Sequence, residues 1–276
     1  MAGSDTQDEA AGRERPAASQ GVALPAEPSP IPEPAVITPA DLRAVLALGW
    51  RDFTRAPIYG LAFSAVYVLG GLILFAIFTA AAAEWWFIPI AVGFPLLAPF
   101  AATGLYEVSR LLERGEAPRA RAVMGCVFAQ RDRQLPSMAM VIMLAFMFWV
   151  FVAHTVFALF FGLQPVGLSA WDMLLSPTGL AMLAAGSVIG GAMAAVFFCL
   201  TVVSLPLLLD REVDFISAMI ASFGCVLANR FVMALWAALI AVALFGAMLP
   251  AFLGLFVVLP VFGHASWHLY RRLLPG

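Results

Sequence analysis

Six long apolar stretches, set apart by short segments rich in arginine or proline, constrain this chain more than any other feature. They run from about Ile58 to Ala83, Phe87 to Tyr106, Ser137 to Gly162, Thr178 to Leu208, Phe231 to Leu249 and Ala251 to Leu269. A helix needs roughly 20 residues to cross about 30 Å of hydrocarbon, so each stretch reads as one transmembrane helix. Pro250 divides a run too long for a single ordinary span and predicts a tight hairpin there, while Pro89, Pro95 and Pro99 predict kinks in the second span. Glu84-Trp85-Trp86 reads as an interfacial belt closing the first. With 63% hydrophobic residues and a mean hydropathy of +0.95, the chain carries more apolar surface than a soluble domain of its length could bury. A soluble globular protein is excluded.

Orientation follows from arginine, which supplies all 15 basic residues. Arg43, Arg51 and Arg55 precede the first span; Arg110, Arg114, Arg119, Arg121, Arg131 and Arg133 lie between the second and third; Arg211 and Arg230 lie between the fourth and fifth; Arg271 and Arg272 follow the sixth. The segments around Glu84, Gln164 to Pro177 and Pro250 carry none. The positive-inside rule then predicts cytoplasmic N- and C-termini. Arginine without lysine, beside abundant Ala, Gly and Pro, fits a GC-rich bacterial genome and hence a bacterial inner membrane. Residues 1–39 are acidic and proline-rich and predict a disordered cytoplasmic tail without a signal peptide, followed by a membrane domain over 40–276. At Thr38-Pro39-Ala40-Asp41 a capping pattern opens a helix, with Leu42, Val45, Leu46, Trp50 and Phe53 on its apolar face and Arg43, Arg51, Asp52 and Arg55 on its charged face.

A cassette recurs. Gly125-Cys126-Val127-Phe128-Ala129-Gln130-Arg131 returns as Gly224-Cys225-Val226-Leu227-Ala228-Asn229-Arg230, each copy closing an amphipathic pattern just ahead of an odd-numbered span. Arg43-Ala44-Val45 echoes Arg121-Ala122-Val123, and the even-numbered spans share proline near their cytoplasmic ends. The fold class expected is an all-α polytopic membrane protein: six transmembrane helices as three parallel helical-hairpin repeats, each preceded by an amphipathic surface helix.

The blocks Leu48-Gly49-Trp50-Arg51-Asp52-Phe53, Gly104-Leu105-Tyr106-Glu107, Pro206-Leu207-Leu208-Leu209-Asp210-Arg211 and Gly263-His264-Ala265-Ser266-Trp267-His268 resemble a bacterial family of predicted integral membrane proteins. That family is catalogued as a domain of unknown function, and some of its members carry a cytochrome c oxidase label. The resemblance implies no catalytic residues. A haem-copper catalytic subunit carries several histidine ligands inside its helices, and this chain has three histidines in all.

Few residues carry chemistry. His264 and His268 stand one helical turn apart, a spacing that suits a metal ion, haem propionates or simple headgroup anchoring. His154 lies mid-span, where an ionisable group ordinarily faces the bundle interior, lining a cavity or bonding a neighbouring helix. Cys126 and Cys225, with Met138, Met140, Met143 and Met147, offer soft ligands to copper, or ordinary packing. Gly186, Gly190 and Ala194 form a small-residue row suited to close helix contact. Glu107, Arg110 and Arg114 suit a solvated, salt-bridged helix face. Arg110, Arg114, Arg119, Arg121, Arg131 and Arg133 form a candidate surface for anionic inner-leaflet lipids or a partner.

No GxGxxG, P-loop, HExxH or GxSxG motif occurs, so no enzyme activity, resident cofactor or nucleic-acid partner is expected. The expectation is a scaffold or accessory factor for a membrane complex, such as a respiratory oxidase. The alternatives are a transporter or lipid-handling protein with a central cavity, and a copper- or haem-binding protein.

Overall fold

The computed structural model describes residues 31–80, 101–162 and 170–275. All regular structure among them is helical. In chain order the helices are α1 (Pro39–Arg55), α2 (Pro57–Ala80), α3 (101–113), α4 (Ala120–Ala129), α5 (Leu135–Phe161), α6 (Ala170–Leu175), α7 (Pro177–Thr201), α8 (Ser204–Asp210), α9 (Phe215–Ala228), α10 (Arg230–Met248) and α11 (Leu255–Leu273), with a single 3₁₀ turn at Gln130–Asp132. By length and composition, Leu135–Phe161, Pro177–Asp210 and Arg230–Met248 could each cross a membrane, and α1 with α2 makes a fourth candidate if that pair, bent by 98°, counts as one span.

The breaks have local causes. Ala56, between α1 and α2, precedes Pro57, whose ring bars it from the helical region; its φ of −138° and ψ of 54° mark the bend. Between α7 and α8 the helix opens at Val202-Val203, where the ring of Pro206 would meet the carbonyl four residues back. Ser222 of α9 repairs that opening: its hydroxyl accepts from the Val203 N–H at 3.1 Å and donates to the Cys199 carbonyl at 2.7 Å. The hairpin at Pro250 is wider than the sequence predicts. A turn over 249–254 takes Ala251 and Phe252 into the left-handed region (φ 49° and 64°), and α11 starts only at Leu255. The prolines of the second span and the belt at Glu84-Trp85-Trp86 lie outside the described residues.

The main core sits at one end of the molecule. Leu42 and Val45 of α1, Tyr106 of α3, Met138 of α5, Leu207 to Leu209 of α8, Ala218 and Cys225 of α9, Met233 and Trp236 of α10, and Trp267, Leu269 and Tyr270 of α11 form one buried cluster. The same end collects the loops. Tyr59 Oη donates to the Pro118 carbonyl at 2.8 Å, and Arg133 pairs with Glu212 at 2.6 Å. Residues 31–38 run extended across it rather than as a free tail. Ala35 N donates to the Leu273 carbonyl at 2.8 Å, and the Asn229 carboxamide grips the strand on both sides, accepting from Ile37 N at 2.8 Å and donating to Ala35 O at 2.9 Å. The strap and the end of α11 are therefore on one face. Among the described residues two smaller clusters accompany the main core, one of Ala56, Val108, Leu111 and Val123 and one of Val68, Ala247 and Leu255 where α2 meets the α10–α11 turn.

α1 lies along α11 through a close backbone approach at Gly49. A Cβ there would stand 2.5 Å from the Val261 carbonyl oxygen and 2.7 Å from Ala265 N, both immobile backbone atoms. Thr38 and Asp41 open α1 as the sequence predicts: the Asp41 carboxylate accepts from Thr38 N and Oγ1 at 2.8 and 2.7 Å, and Asp41 also pairs with Arg272 of α11. The division of the α1 faces needs correction. Trp50, assigned to the apolar face, is 52% exposed, and Asp52, assigned to the charged face, is fully buried.

Candidate functional site

Asp52 is the hub of a polar network buried between α1, α3 and α11. Its Oδ2 stands 2.7 Å from His268 Nε2, and Ser109 Oγ lies 2.8 Å from His264 Nδ1. Ser109 also interacts with Asp52 and joins the two pairs. Burial alone raises the Asp52 pKa, but the hydrogen bonds and charge from His268, with smaller contributions from Ser109 and His264, outweigh it and hold the carboxyl below the usual aspartate value. Asp, Ser and two His side by side invite comparison with a nucleophilic triad. The connectivity differs, because the carboxylate orients one histidine and the serine meets the other. All four side chains are enclosed, leaving no room for a substrate beside Ser109. What the arrangement does is cross-link three helices where charge would otherwise be costly.

Beside this network, at the same end, opens a cleft of about 470 Å³ lined by Arg110, Glu113, Arg114, Asp210, Arg211, Trp267 and Arg271. Trp267 is almost wholly buried and donates from Nε1 to Glu113 Oε2 at 3.0 Å. Arg271 reaches Glu113 at 3.4 Å and Asp210 at 3.6 Å, and Tyr270 Oη donates to Asp210 at 2.7 Å. Arg110 pairs with Glu107 at 2.7 Å, as the i, i+3 spacing predicts, but Glu107 is buried rather than on a solvated face. Arg114 lines the cleft beside them.

The predicted site residues fall in separate places. His264 and His268 adjoin each other but are spent on different partners, and neither is exposed enough to anchor a headgroup. His154 is on the exposed face of α5 with Nδ1 on the Val150 carbonyl of its own helix at 2.8 Å, so among the described residues neither a neighbouring helix nor a cavity takes it. Of the arginine belt, Arg110 and Arg114 enter the cleft. Arg133 meets the Arg211 carbonyl at 3.4 Å as well as Glu212, Arg131 pairs with Asp132 at 3.6 Å, and Arg119 and Arg121 stand at the start of α4. Cys126 and Cys225 are free thiols at or in the main core, each pushed up to about 11 chiefly by burial, which makes them poor nucleophiles and reluctant ligands. Met138 is buried while Met140 and Met147, seven residues apart on α5, are exposed on another face, so the four sulfurs do not converge. Among the described residues no group of three or more His, Cys, Asp or Glu could hold a metal ion. Gly186 and Gly190 face α5, where a Cβ at Gly190 would stand 3.5 Å from Trp149 Nε1 and one at Gly186 4.0 Å from Val156 Cγ1, and both also line an apolar groove of about 630 Å³ between the two helices.

Sequence reasoning missed Asp52, Ser109, Asn229 and the Glu113–Trp267 pair. Asp52 was detectable, since it falls three residues after Gly49 and seven after Val45, on the inward face of α1. Ser109 and Glu113 depend on contacts across more than 150 residues and leave no local pattern.

No curated protein and no solved structure matches the chain. Residues 87–210 match the family model described as Predicted integral membrane protein (DUF2189), the family that the sequence blocks resemble, and together with its long apolar helices this identifies the chain as an integral membrane protein.

Proposed function

We propose that this is a six-span scaffold or accessory protein of the bacterial inner membrane, without enzyme activity, that supports another membrane complex such as a respiratory oxidase. The observation that carries the reading is the division of the molecule into a tied polar end and outward apolar faces. At the arginine end, the strap, α1, α3, α8, α9 and α11 spend their polar groups on one another. Along α5, α7 and α10, Leu144, Phe148, Phe151, Leu159, Val188, Val196, Val242 and Phe245 face outward, as lipid- or helix-facing residues do.

Three parallel hairpin units fit the same reading. α4 and α9 each carry a cassette and lead directly into a long apolar helix, and α1 stands in that relation to α2. Outward residues in and just before the two cassettes correspond, Met124 with Phe223 and Phe128 with Leu227, and would dip into the inner leaflet of a bilayer whose anionic headgroups meet the arginine belt. Purification of a tagged chain in mild detergents tests the scaffold: a membrane protein retained in fixed stoichiometry supports it, and a chain that purifies alone in every such detergent contradicts it.

A second reading, lipid handling, is favoured by the α5–α7 grooves. One of about 450 Å³ is lined by Phe146, Trp149 and Phe197, and the larger by Val156, Phe157 and Gly190. Their apolar walls suit an acyl chain. Filling the larger groove with Gly190→Leu should abolish lipid transfer between vesicles if that reading holds and leave partner retention intact if the scaffold reading holds.

A further inference from the structure

The geometry points to the arginine cleft as a binding site for a phosphate-bearing anion, of the kind carried by an anionic phospholipid headgroup or a free glycerol phosphate. This extends the diffuse lipid contact of the scaffold reading to one defined pocket, and it rests on that reading only for the side of the membrane it faces.

Four guanidinium groups from three parts of the fold converge there: Arg110 and Arg114 at the end of α3, Arg211 just beyond α8, and Arg271 of α11. Glu113 and Asp210 are the two carboxylates in the lining and Glu107 pairs with Arg110 from behind it, so four guanidinium groups meet three carboxylates and one positive charge is in excess. Both carboxylates are tied to neighbouring donors, Glu113 to Trp267 and Arg271, Asp210 to Tyr270 and Arg271. They hold the cationic wall in place. Guanidinium forks match phosphate oxygens in pairs, and a cleft with low-dielectric walls such as Trp267 strengthens each contact. The volume, about 470 Å³, falls within the roughly 300–1,000 Å³ usual for small-ligand sites. It is ample for a glycerophosphate unit, with acyl chains left outside along the apolar helices.

The test uses the full chain purified in mild detergent, with native mass spectrometry counting retained lipid after addition of phosphatidylglycerol, or of phosphatidylcholine as the zwitterionic control. A parallel arm titrates glycerol 1-phosphate by calorimetry. Retention of phosphatidylglycerol over phosphatidylcholine, weakened roughly tenfold by Arg114→Gln and again by Arg211→Gln, is the expected result. Arg43→Gln, on the exposed side of α1 and outside both the cleft and the arginine belt, should leave it unchanged. If glycerol 1-phosphate binds with the same dependence on Arg114 and Arg211, the site stands and its ligand is soluble. Equal retention of both lipids, or binding unaffected by either cleft variant in monodisperse protein, overturns the proposal. Loss of the partner in affinity purification strikes at the scaffold alone, and loss of arginine-dependent binding strikes at the cleft alone.

Discussion

Asp52 is fully buried, and a buried carboxylate persists only where donors and positive charge compensate it. Replacing it with alanine strands His268 and Ser109 in the core and should cost about 3–5 kcal/mol, the range for breaking a buried pair, read as a lower thermal midpoint in detergent. The sign of its pH dependence follows from its depressed pKa. The stabilisation is complete above the ordinary aspartate value of about 4 and is lost as pH falls through the folded-state value below it. Thermal stability should therefore fall on acidification below about pH 4, and Asp52→Asn, though less stable at neutral pH, should show a shallower fall. An identical acid limb in both proteins would remove Asp52 as its source. Gly49→Ala sets two effects against each other. Alanine gains about 1 kcal/mol of helix propensity, but its Cβ meets backbone of α11 that cannot yield, and overpacking of that kind costs about 1–3 kcal/mol. Net destabilisation is expected, and a midpoint equal to or above that of the parent would show that α11 moves aside freely. Sequence periodicity carried Leu42, Val45 and Phe53 to the correct face of α1. It failed at Asp52 because charge was taken as a sign of exposure.

Among the elements, the strap and the cassettes are the instructive pair. Asn229 and Gln130 hold the same cassette position and are both buried, yet Asn229 grips residues 35–37 while Gln130 Oε1 has no hydrogen-bond partner among the described residues. The two should respond differently to an apolar side chain. Gln130→Met should be near neutral or stabilising, because it removes an unsatisfied atom. Asn229→Leu abandons the backbone groups of the strap and should cost at least 1–3 kcal/mol by the usual penalty for stranded polar groups. It should also make residues 31–37 cleavable in limited proteolysis. Equal sensitivity of the two variants would show that the Asn229 clamp is not what holds the strap. The long helices were legible because their apolar runs are long, whereas the short α6 falls in a connection where no helix was expected. Boundaries were less so: Pro206 opened the helix at Val202-Val203 rather than ending it, and the turn after Met248 took six residues rather than one proline. The strap was not legible, since nothing in an acidic, proline-rich segment announces an asparagine nearly 200 residues away.

At the scale of the whole molecule, one end carries the main core and the arginine cleft, while α5, α7 and α10 lead away from it and present apolar side chains outward. The clustering of arginine between alternate apolar runs was readable, and so was membrane character. The cleft was half readable: Arg110 and Arg114 share one helix end, but Arg211 and Arg271 reach it only through folding. Sidedness ties these claims together and is open to direct measurement. In a cysteine-free background, single cysteines at Glu116→Cys, Glu212→Cys, Ser176→Cys and Pro250→Cys can be probed with a membrane-impermeant maleimide in intact cells. With the termini on the cytoplasmic side, as proposed, Ser176→Cys and Pro250→Cys should label at once, while Glu116→Cys and Glu212→Cys should label only after the membrane is permeabilised. Labelling of Glu116→Cys or Glu212→Cys in intact cells, or protection of Pro250→Cys until permeabilisation, would contradict that orientation.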